Sequence, residues 1–380
     1  MYKIVNDFPN EFFNVAEGPI VSLYQPTHRH SPESKQDPIR FKNLIKEIEK
    51  PLSLICQKKE KQSILDLLTQ ISNDTKFWIY NNDAIAVFYA RGEAIIYRLN
   101  RPTKELAVVS NNFHIKPLIS NFQSADSYHV LGLNREGFTL FEGNIYGINE
   151  VTLDDDIPNN IKEVLGDEFT SSYISARYGG AKGQGYYHGY GEKSKLISSD
   201  TERFFRFIDK VVWDNFSKKS KLPLILVALP EYHSIFRRIS DNPYLLEEGI
   251  KTNYDILTID TLKEKMWELI EPIYDKRADD LIEGFENARA KSLGSDDLAS
   301  VARAAVSNQV HTALIESDRV IPGKIDLGTG NIEWGELGHP EYGDLLNDIA
   351  LIVMQNGGNV VMLPKDKMPT GSGIAATYRF

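Results

Sequence analysis

The sequence predicts an α/β (α+β) fold divided into three domains. A chain of 380 residues is too long for one compact core. Short β-branched and aromatic runs alternate with stretches of helical spacing, which is typical of mixed α/β domains. One glycine-rich segment interrupts this alternation near the middle of the chain. We expect an N-terminal α+β domain at residues 1–125, a middle α/β domain at 126–260 and a C-terminal α/β sandwich at 261–380.

The composition is that of an ordinary globular protein with an acidic balance. Hydrophobic residues make up 42%, charged residues make up 25%, and the net charge is -10. Any contact with nucleic acid should therefore be a local patch, because the rest of the surface repels phosphate. Cys56 is the single cysteine, which excludes an intrachain disulfide and cysteine-based zinc sites. The chain has no signal-like segment and no apolar run long enough for a membrane helix, so we expect a soluble cytoplasmic protein.

The first domain is predicted to contain a strand, a polar loop, two helices and a strand meander. The strand covers 19–24, and three prolines break regular structure in the loop after it. Apolar residues recur near helical spacing over 40–71, and Pro51 is predicted to divide this stretch into two helices. β-branched and aromatic residues over 77–99, with turn signals between them, predict the meander.

The middle domain should combine short strands with helices. Residues 128–151 contain short apolar runs separated by turn signals, which predict strands. Ser199 and Glu202 have the S-x-x-E spacing of a capping box, which predicts that a helix starts at Ser199. Residues 223–236 predict a buried strand that ends at Pro230 and turns into a helix. This order of strand, loop, helix and strand indicates an α/β domain.

The C-terminal domain is predicted to alternate helices and buried strands. A long amphipathic helix should run from about 261 to 285, and a second helix should cover 295–310. Residues 311–317 and 359–364 read as buried strands. The helix between these strands should stop at Gly357 and the glycine after it.

The most distinctive segment is 178–195, with the sequence YGGAKGQGYYHGYGEKSK. Its six glycines add backbone entropy that folding must remove, which predicts a mobile loop without helix or strand. Its cations and flat side chains suit a polyanion such as RNA, although a solvated linker without a partner has the same composition. The candidate RNA-binding residues are Arg177, Lys182, Tyr186, Tyr187, His188, Lys193 and Lys195.

Two phosphate-binding motifs are excluded within this loop. A P-loop would need lysine directly after Gly191 and glycine at position 186, but Glu192 and Tyr186 stand there. A dinucleotide fingerprint that starts at Gly183 meets His188 where its third glycine belongs. We therefore expect no cofactor.

Other residue combinations leave alternatives open. His28 and His30 have the spacing of two strand-face metal ligands, but no third ligand is nearby, so we expect no metal site. Glu231 and His233 form either an acid/base pair or a structural corner at the start of a helix. The aspartates at 154–156 form either a solvated turn or a site for a hard cation.

Several blocks of sequence resemble the bacterial paralogue group of the archaeo-eukaryotic class-1 peptide-chain release factors, a superfamily that includes Pelota. The blocks are ERFFRFIDKVVWDN at 202–215, LPEYHSIFRRISDNPYLLEEGI at 229–250, GSDDLASVARAAVSNQVHTALIESDR at 294–319 and GIAATYRF at 373–380. They follow one another in the family's order, and the resemblance covers nearly the whole chain. It implies a ribonuclease-H-like middle domain and a C-terminal domain similar to the ribosomal-protein fold that binds kinked RNA.

The resemblance also implies a catalytic loop. In the release factors a Gly-Gly-Gln triplet enters the ribosomal peptidyl-transferase centre and assists hydrolysis of the peptidyl-tRNA ester. The nearest match here is Lys182-Gly183-Gln184, in which lysine replaces the first glycine. Gly183 and Gln184 are therefore the candidate catalytic residues. A backbone N–H near Gln184 can stabilise an oxyanion, and its side chain can exclude nucleophiles larger than water.

The sequence thus predicts a cytoplasmic bacterial translation factor for termination-like release or ribosome rescue. The implied partners are the ribosome, tRNA and a translational GTPase, without DNA or a membrane. Two alternatives stay open. The first is a non-catalytic ribosome- or RNA-binding protein similar to Pelota, which lacks the Gly-Gly-Gln triplet. The second is a protein that binds a small phosphorylated ligand in a cleft between domains. Residues 1–125 show no counterpart of the codon-reading motifs, so reading of a stop codon is not predicted.

Overall fold

A computed structural model describes residues 2–14, 18–28, 32–79, 81–123, 127–144, 147–154, 156–166, 190–336 and 341–380, with only the backbone described at 190–196. The chain divides into two compact units. The first unit combines Met1–Gln123 with Asp275–Phe380, and the second is Ser124–Tyr274. Strands and helices occur in both units, which confirms the α/β fold class. Boundaries between three domains after residues 125 and 260 stay a prediction.

The N-terminal segment of the first unit forms a five-stranded sheet in the order β1-β4-β3-β2-β5. Its elements are β1 (Tyr2–Ile4), β2 (Ile20–Pro26), α1 (Asp37–Ile55), α2 (Lys58–Asn73), α3 (Thr75–Ile79), β3 (Ala84–Ala90), β4 (Glu93–Leu99), β5 (Leu106–Ser110) and α4 (Lys116–Phe122). Apart from the parallel pair of β1 and β4, neighbouring strands are antiparallel. Arg91 and Gly92 join β3 to β4 with φ of 49° and 82°, the left-handed backbone that a tight hairpin turn requires.

Two sequence predictions about this segment are wrong. Pro51 lies inside α1, and the chain leaves the helix at Cys56 instead. The helix continues past Pro51 because Ile48 and Leu52 on either side of it are buried in the same core, where packing offsets one lost backbone hydrogen bond. Residues 77–79 belong to α3 and not to a strand, since the Asp74 carboxylate accepts the N–H groups of the residues that start this helix.

The second unit is built on a five-stranded sheet in the order β10-β9-β6-β7-β8. Its elements are β6 (Tyr128–Leu133), β7 (Phe138–Gly143), β8 (Ile148–Glu150), α5 (Ile161–Leu165), α6 (Tyr190–Val212), α7 (Lys218–Ser220), β9 (Leu224–Val227), α8 (Pro230–Ile239), β10 (Leu245–Ile250) and the first half of α9 (Ile259–Ala290). Strands β6, β9 and β10 are parallel, whereas β7 and β8 are antiparallel to their neighbours. Helices α6 and α8 share a core with one face of the sheet, and α9 shares a core with the other face.

The C-terminal segment of the first unit follows α9. Its elements are β11 (Gly294–Ser295), α10 (Leu298–Val306), β12 (Val310–Glu316), β13 (Pro322–Ile325), β14 (Ile332–Trp334), β15 (Gly343–Asp344), α11 (Leu345–Gln355), β16 (Asn359–Leu363) and β17 (Ile374–Tyr378). They form a four-stranded sheet, β11-β17-β12-β16, and a three-stranded sheet, β14-β13-β15. Helix α11 ends before Gly357, whose φ of 69° agrees with the predicted glycine stop. The predicted helix over 295–310 is too long, because Asp297 caps α10 and the helix stops at Val306.

The two segments of the first unit share one hydrophobic core. Phe88, Phe113 and Leu118 from the N-terminal segment lie in the same buried cluster as Leu346 and Ile349 of α11. Burial of such side chains is the main favourable contribution to folding. These residues are separated by more than 200 positions in the sequence. The N-terminal and C-terminal segments therefore complete each other's core.

A buried ion pair lies within this shared core. Lys116, the first residue of α4, donates from Nζ to Oδ2 of Asp344 at 2.8 Å, and the two side chains are 2% and 3% exposed. The same ammonium group also donates to the carbonyl oxygen of Arg319. Oδ1 of Asp344 accepts the backbone N–H groups of Ile321 at 3.0 Å and Leu346 at 3.2 Å. Both charges are thus compensated by several hydrogen bonds, as burial requires.

We expect the substitution Lys116→Met to lower the free energy of unfolding of the first unit by about 3–5 kcal/mol, because it leaves Asp344 charged and buried without its partner. Lys104→Met is the matched control. Lys104 is also paired with an aspartate, Asp318, at 2.9 Å, but these side chains are 82% and 80% exposed. Its loss should cost no more than about 1 kcal/mol. Urea denaturation of the two variants measures this difference, and equal losses would contradict the role given to the buried pair.

A second prediction concerns Asp348, which is buried one turn after Asp344. Burial, aided by the nearby charge of Asp344, raises the pKa of Asp348 to about 7 against hydrogen bonds from Asn112 and Asn347. The folded state therefore holds this proton more tightly than the unfolded state. The stabilising contribution of Asp348 is complete below about pH 4 and is lost as the pH rises through about 7.

Asp348→Asn should remove this pH dependence, which amounts to at most about 1.4 kcal/mol per pH unit. Burial lowers the pKa of the nearby His114 to about 4, so its contribution to the unfolding free energy rises with pH below about pH 6.5. Because both proteins carry this histidine, its contribution cancels in the comparison. The measurement is therefore the difference in unfolding free energy between Asp348→Asn and the unsubstituted protein at pH 5, 6, 7 and 8. We expect the difference to shift in favour of Asp348→Asn as the pH rises. A difference that is the same at all four pH values would contradict the shifted pKa.

Candidate functional site

Most of the residues predicted to act in the glycine-rich loop lie outside the described part of the chain. Residues 167–189 are not described, and this range contains the catalytic candidates Gly183 and Gln184. It also contains the RNA-binding candidates Arg177, Lys182, Tyr186, Tyr187 and His188. Lys193 and Lys195 lie in α6, where only the backbone is described. These assignments therefore stay predictions. The structure describes the helices that precede and follow the undescribed residues, α5 and α6.

The helix after the loop starts earlier than the sequence predicts. Helix α6 begins at Tyr190, so residues 190–195 are helical and not part of an irregular loop. Ser199 lies in the middle of this helix and is not a capping residue, which makes the predicted capping box wrong. The physical reason is that Gly191 is the last glycine before a run of ordinary helix-forming residues. Thr201 shows the same continuity, because its hydroxyl donates to the carbonyl oxygen of Ile197 at 2.8 Å within the helix.

Helix α6 is held by its apolar face. Phe204, Phe205, Ile208 and Val212 are all fully buried. Their spacing of three and four residues places them on one side of the helix. The ring of Phe205 packs edge-on against Tyr232 of α8, with ring centroids 5.6 Å apart. A 23-residue helix is about 35 Å long. The apolar face therefore anchors a long, rigid helix that begins at Tyr190, within the glycine-rich segment.

Polar contacts also join α6 to α8. Glu202 accepts from Arg206 on its own helix at 2.9 Å and from Arg238 of α8 at 3.0 Å. The hydrogen bond from Arg206, together with the charge of Arg238, lowers the pKa of Glu202. Asp209 accepts a hydrogen bond from Ser240, and burial raises the pKa of this carboxyl. The spacing of Glu202 and Arg206 is visible in the sequence, but the partner on α8 is not.

The loop and its flanking helix form a positively charged stretch within an acidic chain. Residues 169–221 contain ten Lys or Arg and five Asp or Glu, whereas the whole chain has a net charge of -10. Three of these cations, Lys218, Lys219 and Lys221, follow a π-helical turn at the end of α6. The left-handed φ of 55° at Lys221 ends the helix before β9. This lysine group was not among the residues predicted from the sequence to bind RNA, although its composition is visible there.

His233 has the contacts of a structural corner. It lies in the first turn of α8, is 3% exposed, and its Nε2 lies 3.0 Å from the carbonyl oxygen of Ile250 in β10. A carbonyl accepts only, so Nε2 carries the proton and donates. Burial lowers the pKa of His233, which keeps the ring neutral. This bond ties the start of α8 to the neighbouring strand. Burial likewise lowers the pKa of His129 in β6 to about 4.

The histidine near the N-terminus also has a structural partner. His28 Nδ1 lies 2.8 Å from Oδ1 of the buried Asp37, and its backbone N–H donates to Oδ2 of the same carboxylate. His30 and the central aspartate of 154–156 lie outside the described residues. Within the described part of the chain, no group of three or more His, Cys, Asp or Glu side chains is placed to hold a metal ion.

In the second unit the glycine-rich segment follows α5 in the chain and runs into α6, and both helices belong to an α/β unit with a mixed sheet. A family model described as bacterial archaeo-eukaryotic release factor family 3 matches residues 127–309. This match confirms, over these residues, the resemblance predicted from the sequence. No curated protein sequence matches the chain.

Several solved structures align with the chain at low sequence identity. The archaeal translation termination factor aRF1 aligns over 97% of this chain and 95% of its own, with 14% identity and a TM-score of 0.27. Dom34 of S. cerevisiae aligns over 78% and 79%, with 12% identity and a TM-score of 0.41. Archaeoglobus fulgidus Pelota aligns over 78% and 79%, with 13% identity and a TM-score of 0.28. No helix among the described residues of this chain has the length and apolarity needed to cross a membrane.

We expect Phe205→Ala to lower the unfolding free energy of the second unit by about 3–5 kcal/mol, because the side chain is fully buried between α6 and α8. Phe207→Ala is the control, since Phe207 lies on the same helix but is only partly buried. Denaturant unfolding of the full chain, with hydrogen exchange of β6 and β9 amides to assign the transition, measures both. If Phe207→Ala cost as much as Phe205→Ala, the anchoring face of α6 would be assigned wrongly.

Proposed function

We propose that this chain acts on the ribosome or on peptidyl-tRNA through the glycine-rich segment 178–195, in peptide release or ribosome rescue. The observation that carries the proposal is the family match at 127–309, because this range contains the segment together with α5 and α6 on either side of it. A rigid, core-anchored α6 supports the proposal, since a reactive loop must be presented from a fixed frame. A translational GTPase is proposed as a further partner on the family resemblance alone.

The local charge supports a partner that carries phosphates. A positive stretch within an otherwise acidic chain attracts a polyanion to one place and limits non-specific binding elsewhere. Within the glycine-rich segment, the cations of this stretch are Lys182, Lys193 and Lys195. Tyr186, Tyr187 and His188 add flat side chains on which bases can stack. RNA of the ribosome or the tRNA end has both features.

The proposed chemistry assigns hydrolysis to Gly183 and Gln184. Glycine lets the backbone approach the ester at the tRNA end, and a backbone N–H beside Gln184 would stabilise the oxyanion. The Gln184 side chain would admit water and exclude larger nucleophiles. The proton taken from water would leave with the released tRNA hydroxyl, so the reaction needs no further reactant.

A second candidate function is favoured by one specific residue. Lys182 stands where the release factors have the first glycine of Gly-Gly-Gln, and a lysine adds a charge while it restricts the backbone. A protein with this change can bind the ribosome or RNA without hydrolysis, as the resemblance to Pelota suggests. The two candidates share the binding step and differ in the release of peptide.

The proposal predicts that binding and release respond to different substitutions. Sedimentation with bacterial ribosomes at low and moderate salt measures binding, and ribosome-dependent hydrolysis of peptidyl-tRNA measures release. Gln184→Ala should leave binding unchanged and lower the release rate by on the order of 100-fold. Lys182→Glu with Lys193→Glu should weaken binding about tenfold or more and reduce its salt dependence. Lys291→Glu, a matched charge change on an exposed residue of the first unit, should change neither.

The outcomes separate the candidates. Salt-sensitive binding with release that depends on Gln184 supports the catalytic function. The same binding without release by the unsubstituted protein supports the second candidate. Protein that stays at the top of every gradient, with or without the loop cations, would overturn both.

A further inference from the structure

A cleft in the second unit lies beside the first turns of α9, outside the elements assigned to the proposed function. Its volume is about 520 Å³, which falls in the range of ligand pockets. Its walls are formed by Tyr128, Asn144, Asp260, Lys263, Glu264 and Trp267. Two carboxylates and two aromatic rings thus surround one space. This combination has a definite chemical preference.

The carboxylates of the cleft are available to a ligand. Asp260 and Glu264 are one helical turn apart and therefore lie on the same face of α9. Both residues are exposed, and among the described residues neither makes an ion pair. Lys263 also lines the cleft, but this residue already has an interaction partner. The lining therefore has an excess of negative charge.

The aromatic walls are held in place by the core beneath them. Trp267 is partly buried and packs against the apolar cluster that contains Tyr128 and Met266. The Tyr128 ring lies directly over Gly143, where an added Cβ would come within 2.5 Å of the ring. Gly143 is thus required for this position of the tyrosine. Tyr128 itself is fully buried and supports the wall, whereas the partly exposed indole of Trp267 can attract a cation to its face.

We propose that this cleft binds an arginine side chain in a basic segment of a protein partner. A guanidinium group can stack on the indole of Trp267 while it pairs with a carboxylate through two parallel hydrogen bonds. A lysine ammonium lacks the planar face that makes both contacts at once. Asp260 and Glu264 repel phosphate, which disfavours RNA as the occupant of this cleft.

The surface next to the cleft can extend this recognition. Glu268 and Glu271 follow Glu264 at helical spacing along α9, and both are exposed. Further cations of a basic segment would meet these carboxylates, where the pairs add on-rate and orientation more than affinity. The residues that line the cleft are not part of the glycine-rich segment in the sequence, so the inference does not depend on the proposed function of that segment.

The test uses the full chain and three capped, fluorescein-labelled peptides of the pattern Gly-X-Gly-X-Gly. X is arginine, lysine or citrulline, which is the uncharged isostere of arginine. Fluorescence anisotropy gives the dissociation constants at low and moderate salt. We expect the arginine peptide to bind at least about fivefold tighter than the lysine peptide and much tighter than the citrulline peptide. Equal binding of the arginine and citrulline peptides would overturn the proposal.

Substitutions locate the binding. Glu264→Gln and Trp267→Phe should each weaken binding of the arginine peptide, by about tenfold and about threefold. Glu283→Gln is the matched control, because Glu283 is an exposed carboxylate on the same helix but in the first unit. It should change the dissociation constant by less than about twofold. An equal loss in Glu264→Gln and Glu283→Gln would show a general field of negative charge and no arginine site. Spermidine is added as a competitor of the arginine peptide. If it displaced the peptide at a concentration equal to that of the peptide, the cleft would be a polyamine site, and this result would also contradict the proposal.

Discussion

The buried pair of Lys116 and Asp344 is the interaction on which the first unit depends. Lys116 begins α4, Asp344 caps α11, and the pair joins two segments that are 228 residues apart in the chain. A pair of apolar side chains could fill the same volume, but it could not satisfy the backbone groups that this pair satisfies. Asn347 adds to the same network, since its amide donates to the carbonyl oxygen of Phe113 and accepts from the N–H of Ile115. The polar network therefore fixes the register in which the shared core closes.

The sequence predicts most strands and helices because their signals are local. The hairpin of β3 and β4 and the glycine stop after α11 each follow from a few neighbouring residues. The errors arise where packing overrides a local signal. Pro51 lies inside α1 because the residues around it are buried, and Ser199 lies inside α6 because the helical residues before it extend the helix. The shared core of the first unit has no local signal, since it depends on contacts between distant segments.

The candidate site divides in the same way. Composition alone identifies the glycine-rich segment and its cations, because a run of glycines with lysines and tyrosines differs from every packed element of the chain. The links that anchor α6, such as Arg238 to Glu202, are tertiary contacts that no spacing rule reveals. The structural role of His233 also depends on a tertiary contact, because its Nε2 donates a hydrogen bond to the carbonyl oxygen of Ile250. Sequence thus predicts candidate residues for the chemistry, whereas the fold determines which elements hold them.

The distribution of charge gives the second unit two stretches of opposite sign. The stretch 169–221 has an excess of cations, while the start of α9 presents Asp260, Glu264 and Glu268. A phosphate-bearing partner is attracted by the first group and repelled by the second, and a basic protein segment experiences the opposite. The two proposed partners would contact different residues of this unit. In a chain of net charge -10 the positive stretch is the exception, and this contrast would confine the proposed polyanion to the glycine-rich segment and the helix that follows it.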